Sequence, residues 1–160
     1  MAEADPGREF ARLWPELSLR CGAIPYRSTG NGSGQFLLIR RRGEDAWSLP
    51  KGHFIPGSTM ARTAATEAFE EAGVHGTVAA APIGSYRHHK SGHFMLSLPR
   101  CVEVVLFPLE VETQLDQWPE MRIRERRWFN QDEARHSLSQ RPFWDIMSLL
   151  RPVFAAGGNE

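Results

Sequence analysis

The sequence has little cysteine: only Cys21 and Cys101 among 160 residues, with no metal-site spacing between them. That excludes a cysteine-built zinc site and points to a reducing compartment, with both residues expected to be small and buried. Net charge is also missing, since Lys+Arg and Asp+Glu number 19 each. No bulk field draws in nucleic acid or an anionic membrane, so any anion site must come from local placement. No apolar run is long enough for a membrane span, and the start, MAEADPGREFARLW, is too acidic and polar for a secretory leader. Internal repeats and low-complexity tracts are absent as well. These absences lead us to expect a cytoplasmic protein with neither nucleic acid nor membrane as partner. What is present, 41% hydrophobic and 24% charged residues, suffices for one globular domain with a substantial core.

Residues 1–18 read as a loose arm and 19–155 as a single domain. Strands are expected at Arg20–Arg27, Gln35–Arg41, Ala46–Pro50, Thr77–Tyr86, His93–Leu98, Cys101–Val111 and Arg126–Asn130, with a turn over Ser28–Gly34. A helix capped by Ser58 or Thr59 ends at Gly73, its alanines forming one close-packing face. Asn130 and Glu133 predict a capping box for a second helix, and Pro142 opens a third running to about Leu150. Strands mixed with helices at this spacing imply an α/β sandwich with a mixed sheet.

The end of the first helix poses the functional question. Glu67, Glu70 and Glu71 lie at offsets of three and four, near the negative end of the helix dipole, with no basic residue at helical spacing. Helix stability alone would not favour this arrangement. One reading is a solvated acidic face. The other is a site for a hard divalent cation that prefers oxygen ligands, Mg²⁺ above all.

The surroundings favour the second. LPKG, then a loop, then a helix ending EAFEEAGV closely resembles the signature of the Nudix hydrolases. Gly52, Glu67, Ala68, Glu70, Glu71, Gly73 and Val74 fill that pattern in register, a specific match over 23 residues. Ser58 and Thr66 depart from it, where the family has Glu and Arg bracing one another. The resemblance implies an αβα sandwich that cleaves phosphoanhydride bonds. The Gly52 carbonyl, Glu67, Glu70 and Glu71 would hold Mg²⁺, with Mn²⁺ as a possible substitute, and Glu67 or Glu70 would serve as base. A narrower likeness, through LRCGAIPYRS, WSLPKG, QWPEMRIRERRWFNQDEA and RPFWDIMSLL, is to the diphosphoinositol polyphosphate phosphohydrolases and their bacterial relatives, which also act on diadenosine polyphosphates. It implies a phosphorylated small-molecule substrate of one of those classes. The alternatives are a nucleoside triphosphate or nucleotide sugar as substrate, or a non-catalytic nucleotide-binding module, which Ser58 and Thr66 would favour.

Such a substrate needs cations around the metal site. By position these would be Arg20, Arg124 and Arg141, with Arg41 or Arg42 and Lys51 on the strand and loop edges; each could equally be an ordinary surface cation. RHHKSGH (Arg87–His93) reads as a basic loop that contacts phosphates or as a solvated hairpin turn. Trp47, Trp118, Trp128 and Trp144 are expected in the core rather than as base-stacking platforms.

Overall fold

The computed structural model describes residues 17–90, 100–138 and 141–150. Two long strands organise it. β1 (Leu17–Gly30) and β6 (Arg100–Gln114) run parallel, from Leu17 beside Cys101 to Tyr26 beside Glu110. Around them lie β2 (Ser33–Arg41), β3 (Lys51–His53), β4 (Val74–Val78), β5 (Gly84–Lys90) and β7 (Arg124–Asn130). The order is β4-β6-β1-β2-β7, with β3 added to β1 and β5 to β6. Every pair but β1–β6 is antiparallel, so the sheet is mixed, as expected.

Side-chain alternation sorts the core onto two faces. Along β2, Leu37 and Ile39 join Cys21 and Ala23 under the first helix, while Phe36 and Leu38 pack on the opposite side. That helix, α1 (Met60–Glu67), begins at Thr59, whose side chain accepts the Arg62 N–H at 3.1 Å. It continues as a π-helical turn, Ala68–Ala72, and stops at Gly73 in the left-handed conformation. Ala64, Ala68 and Ala72 are fully buried, and their small side chains let the helix lie close on the sheet. On the other face sit α2 (Gln131–Ser137), with the expected Asn130–Glu133 capping box, and α3 (Arg141–Ser148), contributing Phe143 and Met147. Helices on both faces make an αβα sandwich.

Local departures have local causes. Ala46–Pro50 makes only isolated bridges, at Ser48 and Trp47, and regular pairing starts at Lys51, just after Pro50, which has no N–H to donate. Thr77–Tyr86 is not one strand, because β6 changes partner from β4 to β5 across a break that contains Pro82. The Ser28–Gly34 turn shrinks to its centre, where Gly30, Asn31 and Gly32 all take positive φ. Cys21 is buried, but Cys101 is only half-buried. The arm up to residue 16, the His93–Leu98 strand and the end of the Arg87–His93 loop lie outside the described residues; Arg87–Lys90 belongs to β5.

Candidate active site

The π turn widens the helix just where the glutamates fall, a local irregularity common at functional sites. Glu67 is half-buried, Glu70 exposed and Glu71 buried, so the three do not share the single arc that ideal helical spacing predicts. Glu71 turns inward. Its Oε2 accepts the Lys51 backbone N–H at 3.0 Å, and its Oε1 takes the guanidinium of Arg124. Helix, β3 and β7 are thereby tied at one point.

This answers part of the question raised by the sequence. The positive partner missing from the helix arrives from β7: Arg124 bridges Glu71 and a carboxylate not anticipated above, Glu120. Arg124, expected at a phosphate-binding position, gives its Nε to Glu120 and its Nη2 to Glu71, so any grip on phosphate would be shared with these two carboxylates. Among the described residues, Glu67 and Glu70 have no ion-pair partner.

Gly52 pairs with Cys21 on β1, and a Cβ placed there would lie 2.1 Å from Glu67 Oε1. Only glycine lets the Glu67 carboxylate press against this backbone. Burial, reinforced by the charges of Glu71, Glu70 and Glu120 and opposed by Arg124, lifts the Glu67 pKa from 4.5 to about 7. Burial also raises that of Glu71, against the pull of Arg124 and the Lys51 N–H.

A stability prediction follows for the metal-free protein. Between about 4.5 and about 7 the unfolded chain releases the Glu67 proton while the folded chain keeps it. Raising pH through that window therefore favours unfolding, and the penalty levels off above it. Thermal melts in chelator should show a decline in Tm across this window that Glu67→Gln flattens. Parallel profiles for the two proteins would refute the assignment.

Among the described residues no three acidic, imidazole or thiol side chains form a ready-made metal cluster. The donors nonetheless suit a hard cation. Glu67 is a half-buried carboxylate without an ion pair among the described residues, held against the Gly52 backbone, with Glu70 nearby in the same helix end. Glu71, expected among the ligands, has both oxygens in protein contacts.

The expected basic residues do not form one cluster. Arg20 shares the sheet face of Ile24, opposite α1; its Nη2 lies 3.5 Å from His53 Nε2, and its buried Nε has no partner among the described residues. Lys51 directs Nζ to Ser48 Oγ at 2.7 Å. Arg41 is exposed at the end of β2, opposite Arg124 in register, and Arg42 reaches Glu125 and the Met121 carbonyl. Arg87 pairs with Glu103 at 2.6 Å. The Arg141 side chain lies outside the described residues.

Sequence reasoning missed two residues. Glu120 donates its N–H to the Glu70 carbonyl at 3.1 Å and adds its charge to the cluster. Its spacing to Arg124, four residues, was the available signal. Arg126 caps the glutamate helix, donating to the carbonyls of Ala72 at 2.8 Å and Gly73 at 3.2 Å.

Comparison with known proteins agrees with this geometry. A family model described as NUDIX domain matches residues 21–146. Nudix hydrolase 17, mitochondrial, of Arabidopsis thaliana is 32% identical over 146 residues, covering 86% of this chain and 75% of its own length. Nudix hydrolase 13, mitochondrial, of the same plant is 33% identical over 146 residues, covering 82% and 72%. Among solved structures, a Caenorhabditis elegans Ap4A hydrolase in a binary complex superposes with a TM-score of 0.61 at 21% identity, covering 88% of this chain and 98% of the other. At that identity it shows the fold. The mitochondrial designations of these relatives run against the cytoplasmic expectation, which is withdrawn. The family match and the extended likeness to named hydrolases place this chain in the Nudix family, as a phosphohydrolase.

Proposed function

We propose that this enzyme cleaves a phosphoanhydride bond in a diphosphoinositol polyphosphate or a dinucleoside polyphosphate, with Mg²⁺ as cofactor and Mn²⁺ as a substitute. The observation that carries the proposal is the Gly52–Glu67 contact, where a half-buried carboxylate with no ion pair among the described residues is held against a glycine backbone. Nudix hydrolases generally use a divalent metal such as Mg²⁺, and Glu67, Glu70 and the Gly52 carbonyl would hold it here. Bound there, the metal supplies charge neutralisation at the phosphate oxygens and a lower pKa for water.

The chain's own groups do the rest. Glu67 or Glu70 accepts the proton of the attacking water. Glu71 acts as a positioning residue, fixing the Gly52 loop through the Lys51 N–H and through Arg124. By position, Arg20, Arg41, Lys51 and Arg141 would supply charge for distal phosphates, although the described ones do not form one cluster. The structural neighbours named as an Ap4A hydrolase and as a NUDIX domain of Shewanella oneidensis NrtR complexed with ADP ribose support a nucleotide-like ligand. Residues 19–155 would act as one catalytic unit, joined by Leu17 and Ser18, which belong to β1 and pair with β6 rather than lying in the expected arm.

Phosphate release from a panel of diphosphoinositol polyphosphates, dinucleoside polyphosphates, nucleoside triphosphates and nucleotide sugars, with Mg²⁺ and in chelator, tests this reading. The first two classes should be cleaved fastest, and only with metal. Faster cleavage of the last two would overturn the substrate assignment. Undiminished release in chelator would overturn the metal assignment.

A further inference from the structure

A cavity of about 440 Å³ lies at the β7 end of the sheet, and neither Gly52 nor any of the three glutamates lines it. Its size falls in the range of small-molecule sites. Four arginines, Arg40, Arg42, Arg126 and Arg127, line it against one carboxylate, Glu125, in a chain whose formal charge is zero. Arg40 and Arg42 share that carboxylate, at 2.7 and 3.4 Å. Arg126 spends its donors on the neutral carbonyls of Ala72, Gly73 and Leu115. Arg127 has no ion pair among the described residues, and its guanidinium lies 4.1 Å from the Phe129 ring centroid.

The remaining walls are Trp47 and Trp118. The indole Nε1–H of Trp118 is buried and has no acceptor among the described residues. Guanidinium groups already cover both rings: Arg40 lies 4.6 Å from the Trp47 centroid, and Arg126 lies 3.9 Å from that of Trp118. A stacked base is therefore disfavoured. What the lining lacks is negative charge and hydrogen-bond acceptors. Arg42 and Arg127 are exposed and Arg40 and Arg126 half-buried, so an anion seated among them would meet several guanidinium groups of which only Arg40 and Arg42 share a carboxylate.

We infer that this cavity is a second binding site, accessory to the reaction site, for a multiply charged phosphate-type anion. Glu125 and Arg127 alternate along β7 to the face opposite Arg124, whereas Arg126 shares the face of Arg124, so the cavity wraps the β7 edge; the Glu71 and Arg124 side chains are not among its lining residues. It would still reach the catalytic helix indirectly, because Trp118 packs against Gly73, where a Cβ would come within 2.7 Å of the indole.

Inorganic tripolyphosphate is the probe. Titrated into the full chain in chelator, which silences any metal-dependent grip, it should bind saturably by calorimetry and change tryptophan fluorescence. Arg127→Ala and Arg42→Ala should each weaken binding about tenfold or more, the scale of one charge-assisted hydrogen bond. Trp118→Phe should remove most of the fluorescence change. Glu67→Gln and Arg122→Ala, the latter an exposed arginine outside the cavity, should leave affinity unaltered. Absence of saturable binding would overturn the site, as would an equal loss in Arg122→Ala. Arg42→Ala keeps the test decisive if Arg127→Ala does not fold. Substrate cleavage is read separately, so failure of the hydrolase assignment and failure of this site are distinguishable.

Discussion

Replacing Glu67 with glutamine is expected to lower metal-dependent turnover at least about a hundredfold, the scale of losing one charge-stabilising group at a reacting centre. The amide keeps the size of the carboxylate but removes its charge and basicity. Glu67 is the glutamate that presses on the Gly52 backbone, and among the described residues no ion pair neutralises it. Gly52→Ala should produce a loss of similar size by a different route. Its Cβ would lie 2.1 Å from Glu67 Oε1, so the carboxyl group must swing away although its chemistry is unchanged. Phosphate release under saturating Mg²⁺ measures both. Near-normal turnover in Glu67→Gln would remove this residue from the reaction, leaving Glu70 as the proton acceptor.

Arg124→Ala is expected to destabilise the metal-free protein by about 3–5 kcal/mol, as removing one member of a buried pair strands the other. The partners are 15% and 10% exposed at the side chain, so water cannot readily take over the solvation of Glu71. Glu120 loses its partner at the same time. Adding Glu71→Gln to an Arg124→Met background should recover roughly 1–3 kcal/mol, the coupling typical of residues in contact. Urea unfolding in chelator measures the cycle. Turnover offers a second readout. If Arg124 acts through Glu71, its loss should reduce cleavage of polyphosphates and nucleotide sugars equally. A selective loss on polyphosphates, with a stability change under about 1 kcal/mol as for exposed pairs, would restore the phosphate-grip reading.

The sequence by itself determined the family and the layer architecture. The glycine, three glutamates and terminal glycine from Gly52 to Gly73 carry their chemistry at fixed spacing, because a loop and a helix preserve sequence order in space. The alanine face, the Asn130–Glu133 cap and the alternation along β2 are local rules too, and the fold follows them. Tertiary structure decided how the glutamates differ. A π turn is a one-residue irregularity that periodicity does not signal, and it turns Glu71 inward while Glu70 stays exposed. The charges around them come from residues far away in the chain. Arg124 reaches Glu71 because β7 pairs with β2, and Arg20 faces away from α1 because of its parity with Cys21 on β1. Such partners are set by strand order and register, which depend on the packing of the whole sheet and leave no mark at the positions concerned.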